Sequence, residues 1–155
     1  MLKPQQLRAA LTKTLPYFQR NPDSFNMFIE HGRIVSTLAP SLSFEYQYQL
    51  NLVITDYVGD VDLIIVPVLA WLRVNEPDIM MQDEKGKDGY SFEVDVISDS
   101  AVDISIDLQL TERVIVKEID DALHVEHLPE PQYPADIPRP HQLYIHGTLV
   151  SEWDE

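Results

Sequence analysis

Cysteine is absent from the 155 residues, so neither a disulfide framework nor a thiolate metal site is available. Basic residues are scarce: 11 Lys and Arg stand against 26 Asp and Glu, for a net charge of −15. Such a chain has little with which to grip phosphates, which argues against sequence-specific nucleic-acid binding. Glycine is scarce too, five in all, and no Gly-rich phosphate loop or nucleophile elbow occurs. The longest apolar run, Leu63 to Leu72, is ten residues, against the roughly 20 that a membrane helix requires. No membrane span is therefore expected. The opening Met1-Leu2-Lys3-Pro4-Gln5-Gln6 leads into an amphipathic helix and does not read as a signal peptide, which predicts synthesis in the cytoplasm.

What is present is one domain's worth of alternating pattern, 45% hydrophobic. Leu7, Leu11, Leu15 and Phe18 recur at helical spacing over residues 4 to 19, with Pro16 as a kink or early stop. Phe25 to Leu38 reads as a hairpin with His31-Gly32 at its tip. Phe44, Tyr46, Tyr48, Leu50, Leu52 and Ile54 alternate with polar residues, the clearest strand in the chain. The run from Asp62 to Arg73 predicts a helix, acidic at its start, basic at its end and stopped by Pro77. Its apolar positions fall all round, so burial on nearly every side is expected, with Leu69, Trp71 and Leu72 in the core. Beyond a polar loop, residues 82 to 89, further strands are expected around Phe92–Val96, Val102–Leu110 and Arg113–Ile119. Asp120-Asp121 should turn the chain into a strand over Leu123 to Leu128. The order predicts an α+β fold: two helices packed on one face of a mostly antiparallel sheet.

Residues 1–128 are expected to form this single domain. Residues 129–140, with five prolines, form a linker, and residues 141–155 a C-terminal hairpin arm. Ile145-His146-Gly147 in that arm echoes Glu30-His31-Gly32, as two similar tips.

Chemistry finds little support. Glu93 with Asp95, and Asp103 with Asp107, are carboxylate pairs on strand faces, but acids opposite aliphatics are what a half-buried strand shows. The five histidines have no metal-ligand spacing, and His124 and His127, three apart in a strand, point to opposite faces. No spacing assembles a catalytic triad. No enzyme, cofactor or metal is expected.

Several runs together resemble the tail completion protein R family of P-two-like contractile-tailed phages. They are Ser36–Ala39 with Ser41–Glu45, Asp60–Arg73, Glu76–Met80, Asp103–Ile106, Leu110–Arg113, Asp121–Val125, Leu143–Ile145, and Val150-Ser151 with Trp153–Glu155. The polar loop and the proline linker match loosely. The resemblance covers nearly the whole chain and implies a virion assembly component, carried in the tail, that finishes the tail and permits head–tail joining. By looser analogy with tail terminators it implies a closed ring of about six copies, contacting the tail tube or sheath and the head–tail connector. The alternative is an assembly chaperone absent from the finished virion. On this reading Leu143, Tyr144, Val150 and Trp153 supply the arm's contact with a neighbour. At least one of the acidic faces, Glu93 with Asp95 or Asp103 with Asp107, is expected to line or approach a central channel through which DNA passes.

Overall fold

The computed structural model describes residues 1–36, 38–81, 89–131 and 142–152, with side chains throughout except at 81 and 150–152. Two helical pieces open the chain, α1 (Lys3–Thr14) and α2 (Pro16–Arg20). Pro16 is the reason for the break: it disfavours helical backbone at Leu15, which is extended. A single 3-10 turn, Pro22–Ser24, leads into β1 (Phe25–Ser36) and β2 (Phe44–Tyr57). Then come α3 (Asp62–Asn75), the one-turn α4 (Asp78–Met81), β3 (Tyr90–Val96), β4 (Val102–Ile119) and β5 (Ala122–His127). A separate two-stranded hairpin, β6 (Gln142–Ile145) and β7 (Thr148–Glu152), ends the described chain.

The main sheet runs β1-β2-β4-β3, wholly antiparallel, with β5 also on β4. Alternation decides its faces. Leu50, Leu52 and Ile54 of β2 and Ile104, Ile106 and Leu108 of β4 pair side by side and bury beneath the helices. Leu7 and Leu11 of α1 and Ile64, Val68 and Leu72 of α3 close the core from above. The opposite face carries no helix and is polar. This is the expected α+β architecture, helices on one face of an antiparallel sheet.

Three expectations are corrected. First, residues 25–36 are one strand, not a hairpin. Glu30 pairs with Gln49 and Arg33 with Gln47, so one extra residue is accommodated as a bulge at His31-Gly32, with His31 at φ 50°. The similar Ile145-His146-Gly147 does form a tip: His146 and Gly147 both have positive φ, the backbone a two-residue hairpin turn requires. The same local sequence serves two geometries because β2 supplies β1 with a partner along its whole length. Second, β4 is one continuous 18-residue strand, where two were expected. Third, α3 is buried on one side only. Ile64, Val68, Trp71 and Leu72 face the core, and Leu69 is half-buried against it. Leu63, Val66 and Val74 are 55%, 63% and 65% exposed, and with Ala70 they make an apolar stripe open to solvent.

Entry into α3 is set by close packing. The Tyr57 hydroxyl donates to the Asp60 carbonyl (3.0 Å), and Asp60 Oδ1 accepts from the Asp62 N–H (2.9 Å), capping the helix one residue early. A Cβ at Gly59 would lie 2.5 Å from the Tyr57 hydroxyl, so any larger residue there would have to displace the buried Tyr57 ring. Pro67 inside α3 removes the donor that would meet the Leu63 carbonyl, on the solvent-exposed side of the helix.

Candidate assembly surfaces

Four features stand out: a buried polar junction, an apolar groove, an acidic sheet face and the C-terminal hairpin.

The junction arises from a gap in the sheet edge. Odd-numbered residues of β4 turn their backbone groups toward β3 and β5: the Gln109 N–H donates to the Gly89 carbonyl (2.7 Å), and the Leu128 N–H to the Arg113 carbonyl (3.0 Å). Thr111 lies between those two bonds, beyond the reach of either strand. Its N–H donates instead to Glu76 Oε2 (3.2 Å), its hydroxyl to Glu76 Oε1 (2.8 Å), and its carbonyl accepts from Lys3 Nζ (2.5 Å). A lysine and a glutamate thus take the place of a missing strand. Lys3 Nζ also pairs with Glu76 itself and with Glu130 Oε1 (2.8 Å). One buried ammonium therefore joins the start of α1, the residue after α3, the middle of β4 and the root of the C-terminal segment. Its three partners meet its three N–H groups, the condition under which a buried charge is tolerated.

Glu112 sits beside it, buried among residues that should be apolar by alternation. Its carboxylate accepts from the Leu2 N–H (2.7 Å), the Lys3 N–H (3.4 Å) and the Tyr48 hydroxyl (2.6 Å). It is the cap of α1, delivered from a strand over a hundred residues away in sequence. Burial pushes its pKa up, but the Tyr48 hydroxyl and the two N–H groups outweigh this and hold it below the usual carboxylate value. Glu76 goes the other way: burial raises its pKa, only partly countered by Lys3 and Thr111. Burial first, then Glu112, raises the Tyr48 phenol, which stays a donor. His127 Nδ1 lies 3.4 Å from Glu112 Oε1 and makes no hydrogen bond in the structure. Sequence alone placed none of these residues in a buried junction. The signal was there for one of them: Glu112 continues the phase of Ile104, Ile106, Leu108 and Leu110, so a carboxylate sits where the buried stripe should be.

The groove runs between α3 and β3 and encloses about 360 Å³. Ile65, Val68 and Leu69 form one wall, Tyr90 and Phe92 the other, and Ile106 and Leu108 the floor. Phe92 is 60% exposed at its rim.

The four acids expected near a channel are brought onto one surface, the helix-free face. Asp95 pairs in register with Asp103, Glu93 with Ser105, and Asp107 with Ser91. Glu93 and Asp95 are exposed, Asp103 and Asp107 half-buried. The latter two have structural partners: Asp103 Oδ1 accepts from the Asp56 N–H (2.9 Å), where Asp56 takes a left-handed φ of 54°, and Asp107 Oδ1 accepts from Asn51 Nδ2 (2.7 Å). In the hairpin, Leu143 and Tyr144 are exposed, as are Ile145 and Leu149. The Val150 side chain, Trp153 and linker residues 132–140 lie outside the described residues. Among the described residues no cluster of three or more His, Asp or Glu is placed to hold a metal ion, and no helix is long and apolar enough to cross a membrane.

The described residues thus leave apolar surface uncovered on the α3 stripe, at the groove rim and on the hairpin, while the buried carboxylates and Lys3 are spent on backbone and on one another. Comparison with known proteins gives the family. Residues 1–131 match the model of the P2 phage tail completion protein R (GpR) family, and the chain belongs to that family. It is 56% identical over 155 residues, the whole of both chains, to Tail completion protein R of Escherichia phage P2. No solved structure matches the chain. Phage tail completion is thus the process in which the chain takes part.

Proposed function

We propose that the chain is a structural component of the head-proximal end of the tail, where copies close into a ring of about six, finish the tail and make it competent to join the head. The full-length likeness to a tail completion protein carries this reading. The exposed apolar stripe of α3 supports it, because a helix of that composition is stable in water only at some cost and gains by being covered. Cyclic symmetry lets each copy offer one surface and receive another, so no apolar face is left over. The helix-free face, with Glu93, Asp95, Asp103 and Asp107, approaches the channel, where carboxylates repel DNA over a Debye length of about 8 Å and keep the passage from gripping phosphates.

Quantitative mass spectrometry and electron cryo-microscopy of purified tails test the proposal. The expected result is several copies per tail, arranged around the axis at the head-proximal end. Absence of the protein from finished tails would make it an assembly chaperone, and a single off-axis copy would rule out the ring.

A further inference from the structure

We infer that the β6–β7 hairpin of one copy seats its apolar side chains in the α3–β3 groove of the next. This deepens the ring reading and rests on it. Among the described residues both surfaces are left open: none of them fills the groove, Phe92 is exposed at its rim, and Leu143, Tyr144, Ile145 and Leu149 are about half-exposed on the hairpin. A two-stranded hairpin is marginal alone and gains stability by packing its apolar side chains elsewhere. The groove offers aliphatic and aromatic walls from Ile65, Leu69 and Phe92, with Asp62 the one charged residue among the described residues that line it.

Charge favours a second copy's hairpin over a second copy's body. A chain of net −15 repels itself wherever its acidic surfaces approach. Residues 142–151 hold no Asp, Glu, Lys or Arg, and the acids Glu152, Asp154 and Glu155 follow only at the end of the arm, so the tip of the hairpin is the part that approaches an acidic neighbour without repulsion. The reach of the arm exceeds the length of α3. The root is held at Glu130 by buried Lys3, and the ten residues from 132 to 141 span at most about 36 Å, whereas α3, at 14 residues, is about 21 Å long. A contact of hairpin to groove is heterologous, head to tail, which is the kind that generates a ring.

The test uses the absence of cysteine, so that an introduced pair has no competitor. Phe92→Cys and Tyr144→Cys together, both exposed positions, are placed in the phage as its sole copy. Tails are purified, mildly oxidised and run without reductant. The expected result is a ladder of covalent dimers and higher multimers, absent from either single variant. Monomers closed by an internal disulfide would show the hairpin on its own body and overturn the inference. A ring seen in the tails with no disulfide would overturn it as well, assigning the hairpin to another tail protein while leaving the ring intact. Tails lacking the protein would remove the ring reading and this one with it. If the pair yields no tails, charge decides. Phe92→Glu should lower infective titre at least about tenfold, equivalent to ~1.4 kcal/mol of contact, with unchanged melting of the isolated protein. Leu143→Lys in the same chain should restore titre, and no restoration would refute the pairing.

Discussion

Replacing Glu112 by glutamine tests the buried junction. The carboxylate accepts three hydrogen bonds, from the N–H groups of Leu2 and Lys3 and from the Tyr48 hydroxyl. Bonds to a charged group contribute about 1.5–3 kcal/mol each. Glutamine keeps one acceptor oxygen, loses the charge that favours the helix start, and turns a second donor toward groups that already donate. A loss of about 2–3 kcal/mol at pH 7 is expected, which lowers the melting temperature by about 4–12 °C for a chain of this size. The pH dependence is more diagnostic. The folded pKa of Glu112 lies below its unfolded value near 4.5. Its contribution is therefore fully present above that value and lost as pH falls through the folded pKa. Glu76 has the opposite sign: its pKa is raised, so its contribution is present below 4.5 and lost as pH rises through the folded pKa. It is common to both proteins and largely cancels in their difference. Lys3 is common too. His127 faces the same carboxylate at 3.4 Å, and a His127→Gln background removes any attraction its protonation would add. Urea melts of both proteins in that background, from pH 7 to pH 3, should show a gap constant near neutrality that closes below about pH 4.5. A gap under about 0.5 kcal/mol at pH 7, or one that persists unchanged at pH 3, would refute the account of Glu112 as a charged helix cap.

Three further outcomes are expected. Leu72→Ala, at a fully buried position, should cost about 2–5 kcal/mol in urea melts, and half-buried Leu69→Ala distinctly less; equal losses would contradict the one-sided burial of α3. Glu93→Lys with Asp95→Lys, both exposed and without the structural bonds of Asp103 and Asp107, should slow DNA ejection at low salt and less so at high salt; ejection at the normal rate would place this face away from the channel. Deleting residues 141–155 should leave cooperative unfolding in place while blocking tail completion; an unfolded product would make the hairpin part of the core.

The strands were legible because alternation records burial directly: Leu50, Leu52 and Ile54, or Ile104, Ile106 and Leu108, need only period two to be placed. The break at Pro16 and the turn at Asp120-Asp121, with both residues at positive φ, were local events with local signals. The continuity of β4 was not, because Glu112 interrupts its apolar phase. Only the fold reveals that the start of α1 arrives there with donors to spend. The bulge at His31-Gly32 was hidden for the same reason, since a tip and a bulge both call for a left-handed residue and only the partner strand tells them apart. Helix α3 carried a pattern that stated demand for burial without saying who supplies it. The sheet and α1 supply one side, and the remaining stripe is a property of the monomer that composition alone could not separate from a filled interior. The four acids were readable as faces of two strands; that Asp95 and Asp103 sit opposite one another follows from register.

The junction and the groove belong to one argument about what the molecule holds fixed. Lys3 ties the helix start, the segment after α3, the β4 gap and Glu130 to a single point, so the chain leaves the body from a defined root. Had β3 and β5 met along β4, a backbone bond would fill the position of Thr111 and nothing would anchor Glu130. The interrupted edge costs one ladder bond and the burial of an ion pair, which is at best a small gain in stability over an apolar filling. What it adds is position. On the proposed contact, a hairpin that reaches a neighbour's groove through ten intervening residues does so at higher effective concentration when its root is fixed than when the root itself wanders. Stability alone gives little reason to bury Lys3, Glu76 and Glu112 together; on the proposed contact, the placing of the arm gives one.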